Sequence, residues 1–129
     1  MYQHLKLTML PGEFKFVLLK NREQLVKLAS EEAKPIALFS SSKEISAIVP
    51  SHVQVDAAKS EADWSCVQII GEMPFGTVPG LIATISSCLN SESLGLCVVS
   101  TFLTDWFFIR TKNLAKAKAI LERDGWEFV

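Results

Sequence analysis

The sequence predicts an α+β fold, an antiparallel sheet carrying its helices on one face. Short β-branched and aromatic runs recur along the chain, two amphipathic helical segments lie in its second half, and strand-like runs bracket each of those helices. The clearest run is WSCVQII, Trp64 to Ile70. Its apolar residues fall on both alternating faces, which predicts a central strand covered on both sides and ending at Gly71.

The helix after it is read from VPGLIATISSCLNSESLG, where Leu81, Ile82, Ile85, Cys88 and Leu89 recur at helical spacing. Pro79 suits its first turn and Gly95 closes the segment. LCVVSTFL and DWFFIR then read as two strands around a connection at Leu103 and Thr104. In NLAKAKAILERDG, Asn113 is a candidate cap, Leu114, Ala117, Ile120 and Leu121 form the buried face, and Gly125 ends the helix. WEFV is a last short strand. The order β-α-β-β-α-β is the ferredoxin-like split βαβ pattern. Its helices cover one face only, so the apolar residues on the other face of WSCVQII and DWFFIR call for a second sheet or a second copy of the chain.

The first half is a weaker echo. LKLTML and EFKFVLLK flank a Pro11-Gly12 turn, NREQLVKLASEEA can form a short helix through Leu25, Leu28 and Ala29, and PIALFSS with EISAIVP makes a hairpin. SHVQVDAAKSEAD, Ser51 to Asp63, is polar enough to be the connection. The reading is two subdomains sharing a core, a degenerate one over 1–60 and a complete one over 61–129, because about 60 residues alone bury little.

Composition narrows the function classes. The chain has 129 residues, 49% of them apolar, enough for a packed core. Thirteen Lys and Arg against fourteen Asp and Glu give a net charge of -1 with no basic stripe, so neither nucleic acid nor an anionic membrane is expected as a partner. Cys66, Cys88 and Cys97 are irregularly spaced among apolar neighbours, which suits buried thiols in a reducing cytoplasm. The N-terminus lacks the pattern of a signal peptide, and no run is long enough for a spanning helix.

Two segments could carry chemistry. In STFLTDWFFIR, Ser100, Thr101, Thr104 and Asp105 gather at one edge of a hairpin. They either close the turn by bonding backbone groups or form a polar cluster for a ligand's ammonium. GEMPFGTVPG, residues 71–80, links a strand to a helix but matches neither the dinucleotide nor the P-loop glycine spacing. It is a plain strand-to-helix link or, with amides exposed at a helix N-terminus, a carboxylate site. His4 and His52 have no metal-ligand spacing, no nucleophile motif is present, and no cofactor is expected.

The segments LKLTMLPGEFKFVLL, ALFSSSKEISAIVP and STFLTDWFFIRTKNLAKAKAIL together resemble small two-ACT-domain proteins related to the cytosolic arginine sensors that regulate growth signalling. The resemblance covers nearly the whole chain. It implies two ACT-like subdomains that bind an amino acid rather than turn it over. Carried over residue by residue, it implies a ligand site of Val78, Gly80, Leu81 and Ile82 from the helix-opening loop and Ser100, Thr101, Phe102, Thr104 and Asp105 from the hairpin. SSSKEIS, Ser40 to Ser46, is the counterpart in the first half. Pro79 makes the loop one residue longer than the family pattern, and the chain has two subdomains where the sensors have four, which a homodimer would restore. The expectation is a non-catalytic, cytoplasmic amino-acid-binding regulator. The alternative is a ligand-free module that docks a protein partner through its sheet face.

Overall fold

The alternating and helical periodicities translate into ten regular elements in the computed structural model, which describes residues 4–30, 34, 36–72 and 80–129. They are β1 (Lys6–Met9), β2 (Phe14–Leu19), α1 (Arg22–Ser30), β3 (Ala37–Ser40), β4 (Ile45–Pro50), β5 (Ala57–Ile70), α2 (Leu81–Asn90), β6 (Cys97–Ser100), β7 (Asp105–Arg110) and α3 (Leu114–Arg123). A 3-10 turn, Thr111–Asn113, leads into α3. The fold is α+β, antiparallel sheet with helices on one face, as the sequence predicts. Residues 1–11 and 65–129 form one compact unit and residues 12–64 another, and β5 contributes to each.

In the first unit the strand order is β1-β5-β7-β6. Leu7, Val67, Ile69, Phe107 and Ile109 form one core cluster with Leu81, Ile85 and Leu89 of α2 and Ala117, Ile120 and Leu121 of α3. These are the strand positions of one alternating face and the helical stripes that the spacing picks out. Ile82, also placed on the apolar stripe, is instead 38% exposed. Asn113 makes no side-chain capping bond to α3. On the alternate strand positions, Cys66 and Phe108 have no exposed surface, so part of the face expected to need a partner is already covered within the chain.

The N-terminal segment corrects the sequence reading. LKLTML and EFKFVLLK do not pair with each other across Pro11-Gly12; both pair antiparallel with β5, β1 with Lys6 opposite Ile70 and Met9 opposite Val67, and β2 with Phe14 opposite Trp64 and Leu18 opposite Lys59. β5 is long enough to receive both, which removes the need for a reversal. Leu5 and Leu7 consequently belong to the same core as α2 and α3. WEFV is reduced to a single parallel bridge, Leu7 to Phe128, with the Leu7 amide bonding the Glu127 carbonyl and the Val129 amide bonding the Leu7 carbonyl. Gly71 closes β5 at φ +131, where an added Cβ would lie 2.8 Å from Leu5 Cδ2 and 2.9 Å from the His4 carbonyl oxygen. Only a glycine fits there.

In the second unit the order is β3-β4-β2-β5. β3 and β4 form the expected hairpin, with Ala37 opposite Ile48 and Ser40 opposite Ile45. Leu28 of α1 packs with Val17, Leu19, Ala47 and Val49, and Leu25 joins them partly buried. Residues 57–63, read from sequence as connection, are strand. They look polar because Ala58 to Asp63 are all exposed, which erases the alternation that marks a strand with one buried face. Asp63 sits at φ +68, where the register against β2 shifts between Phe14 and Phe16, and the Phe16 and Trp64 rings meet edge to face at 5.3 Å beside that irregularity.

Candidate functional site

The β6–β7 hairpin is built by its own hydroxyls. Ser100 stands opposite Asp105 in the ladder, and the Thr101 amide and hydroxyl both donate to the Thr104 carbonyl at 2.9 Å. The Trp106 indole N–H donates to the Thr101 hydroxyl at 3.0 Å. Thr104 is buried and donates from its hydroxyl to the Ile69 carbonyl at 2.6 Å, which fastens the turn to β5. Two of the four polar residues that the sequence brings together are thus occupied in closing the turn. Asp105 is different. It is half-buried, and its carboxylate has neither a hydrogen bond nor an ion pair among the described residues.

Phe102 and Leu103 form the tip, each 76% exposed. Gly80 precedes α2 at φ 76, and among the described residues no side chain is seen to cap the helix. Leu81 is 2% exposed and lies in the core, where it holds the first turn of α2. Val78 lies outside the described residues, as does the rest of 73–79. Gly80 also lines a broad depression with Thr84, Ser87, Arg123 and Asp124; no hairpin residue lines it.

A groove of about 380 Å³ in the unit of residues 12–64 was not anticipated. Phe16, Leu18, Phe39 and Ile48 form its floor, and Glu44, Ser46, Lys59, Ser60 and Glu61 lie around it. The signal was present in EFKFVLLK, where Phe16 and Leu18 alternate with Val17 and Leu19. Both faces are apolar, yet α1 packs with only one of the two sets. Glu44 and Ser46 of SSSKEIS thus border a cavity, although not one shared with the β6–β7 hairpin.

The thiols are poised against reactivity. Burial pushes the Cys66 thiol up to about 12, and burial, followed by a hydrogen bond and charge from Asp124, pushes Cys88 up to about 11. Cys97 is also raised by burial, with Arg110 opposing. Neutral thiols are poor nucleophiles and poor metal ligands. Among the described residues no three His, Cys, Asp or Glu side chains gather as metal ligands, and no helix is long and apolar enough to cross a membrane.

An antiparallel sheet of this order with its helices on one face defines a ferredoxin-like α+β fold. The chain belongs to the ACT-domain family, whose model matches residues 59–123, half of the chain. It is similar to the crystal structure of protein Atu0741 from Agobacterium tumefaciens, with a TM-score of 0.81 and 24% identity over 98% of this chain and 92% of that one. It is also similar to VC0802 from Vibrio cholerae, described as a possible transport protein, with a TM-score of 0.71 and 15% identity over 94% and 90% of the two chains. The ligand-free regulatory subunit of aspartate kinase from Thermus thermophilus shares the fold at a TM-score of 0.65 and 10% identity, over 91% and 94%. A comparison with curated proteins finds no match.

Proposed function

We propose that this ACT protein is a non-catalytic regulatory module that binds a small amino acid or similar zwitterion at the β6–β7 hairpin. The observation that carries the reading is Asp105, a half-buried carboxylate without a partner among the described residues, beside a turn whose other polar groups are largely satisfied. An ionised carboxylate so placed suits an ammonium group, with Ser100 beside it in the ladder. The N-terminus of α2 after Gly80 suits the ligand's carboxylate, Phe102 and Ile82 offer exposed apolar surface to its side chain, and Leu81 anchors that helix in the core. Thr101 and Thr104 act by holding the turn.

The likeness of the hairpin to that of the cytosolic arginine sensors supports an amino acid as ligand, and unpaired cysteines suit a cytoplasmic protein. A homodimer would give the four ACT-like units of those sensors and couple ligand to assembly. A second reading, a ligand-free module docking a protein partner, is favoured by one observation, the exposed Phe102-Leu103 tip.

A thermal-shift screen against the twenty amino acids at millimolar concentration separates the two readings. A ligand at about 100 times its dissociation constant adds about 2.7 kcal/mol, which raises the melting point by several degrees. One responding amino acid supports the regulator; silence across the panel supports the docking module.

A further inference from the structure

The groove in the unit of residues 12–64 has a regular construction. Phe39, Ser46, Leu18 and Lys59 stand level on β3, β4, β2 and β5, and in the next row Ile48 stands level with Phe16. These alternate along the strands with Val17, Leu19, Ala47 and Val49, which pack with α1, so the groove lies on the sheet face away from that helix. Its volume of about 380 Å³ is that of a small-ligand site.

Two ions of opposite sign stand at its sides, and neither side chain has a hydrogen bond or ion pair among the described residues. Lys59 ends the first row on β5. Glu44 lies two residues before Ser46 on the same alternating face, in a turn that Ser41 fastens. The Ser41 amide donates to the Glu44 carbonyl at 2.9 Å, and the Ser41 hydroxyl accepts from the Lys43 and Glu44 amides at 3.1 Å. Glu61, also on the rim, already has an interaction and takes no part.

The spacing of the two ions selects the ligand. Lys59 and Glu44 are two strand spacings apart, about 4.8 Å each, and one two-residue step, about 6.8 Å, along the strands, which separates their Cα atoms by about 12 Å. An α-amino acid carries ammonium and carboxylate on one carbon and reaches only one of the two. An extended peptide of three residues spans about 10 Å, and the long side chains of Lys59 and Glu44 close the remainder. Its first and third side chains fall on one face and can both lie on the apolar floor, where Ser46 sets a hydroxyl for a peptide group. A wholly apolar occupant would instead desolvate both ions without pairing either. We infer that this groove binds a short apolar peptide of about three residues, its terminal ammonium at Glu44 and its terminal carboxylate at Lys59. Neither the ligand nor the site is that of the β6–β7 hairpin, and the inference does not rest on that reading.

Calorimetric titration of the peptides Leu-Ala-Leu and Phe-Ala-Phe into the full chain tests it, alongside the same peptides acetylated and amidated at their ends and alongside free leucine. The variants are Glu44→Gln and Lys59→Gln, each checked for an unchanged melting point. At least one free peptide should bind saturably, and each variant should weaken it about threefold or more, the size expected of one exposed ion pair. The blocked peptide should bind more weakly than the free one and be indifferent to both variants, and free leucine should give no signal that either variant alters. Absence of saturable binding by both peptides overturns the inference, as do affinities unchanged in Glu44→Gln and Lys59→Gln. Should the chain sediment as a dimer that Phe39→Ser dissociates, the groove belongs to a second copy and the inference falls.

Discussion

At the scale of single residues, the hairpin separates two roles that look alike in sequence. Thr101 and Thr104 have their hydroxyls committed to main-chain carbonyls, whereas the Asp105 carboxylate has no partner among the described residues. Serine, threonine and aspartate serve turns and ligands equally well, so STFLTD could reveal the cluster but not this division of labour. The thiols give a sharper residue-scale prediction. Cys66 is fully buried and its folded pKa is raised from 9.0 to about 12, so the folded chain keeps a proton that the unfolded chain releases above pH 9. That stability is fully present below pH 9 and falls by about 1.4 kcal/mol per pH unit as the pH rises towards 12. Melting curves across this range should show a steep alkaline decline that is shallower in Cys66→Ala; parallel declines would remove Cys66 as the cause.

At the scale of elements, the sequence was most informative where one face of an element is buried and the other is wet. α2 and α3 follow their apolar spacing closely, because each presents one stripe to a single core. The pairing of β1 and the first half of β5 escaped the reading for opposite reasons. β1 is a good strand whose partner lies some sixty residues on, and pairing of such separation leaves no local trace. The early part of β5 is exposed throughout and carries no period at all. The junction at the end of β5 depends on Gly71, whose backbone admits no Cβ. Gly71→Ala should cost about 1–3 kcal/mol by forcing Leu5 and the His4 carbonyl aside at a left-handed φ, measured by chemical denaturation. A loss below about 0.5 kcal/mol would show that β1 can move away freely.

At the scale of the whole molecule, the interleaving of the N-terminal strand with the C-terminal half decides which piece of chain can stand alone. The reading of 61–129 as a complete subdomain omits Leu5 and Leu7, both buried in the core of the unit formed by residues 1–11 and 65–129. Removing two fully buried leucines costs on the order of 2–5 kcal/mol each, a large part of a domain's total stability. A fragment of residues 61–129 is therefore expected to lack a cooperative melting transition, and the full chain to show one; a fragment melting like the parent would make β1 dispensable. The ligand reading, by contrast, depends on one carboxylate within that unit. Its most direct test is a calorimetric titration of the amino acid that responds in the thermal screen into the wild-type chain and into Asp105→Asn, which preserves shape and removes charge. The account predicts saturable binding to the wild type and at least tenfold weaker binding to the variant, since a charge-assisted bond contributes about 1.5–3 kcal/mol. Equal affinities would contradict it.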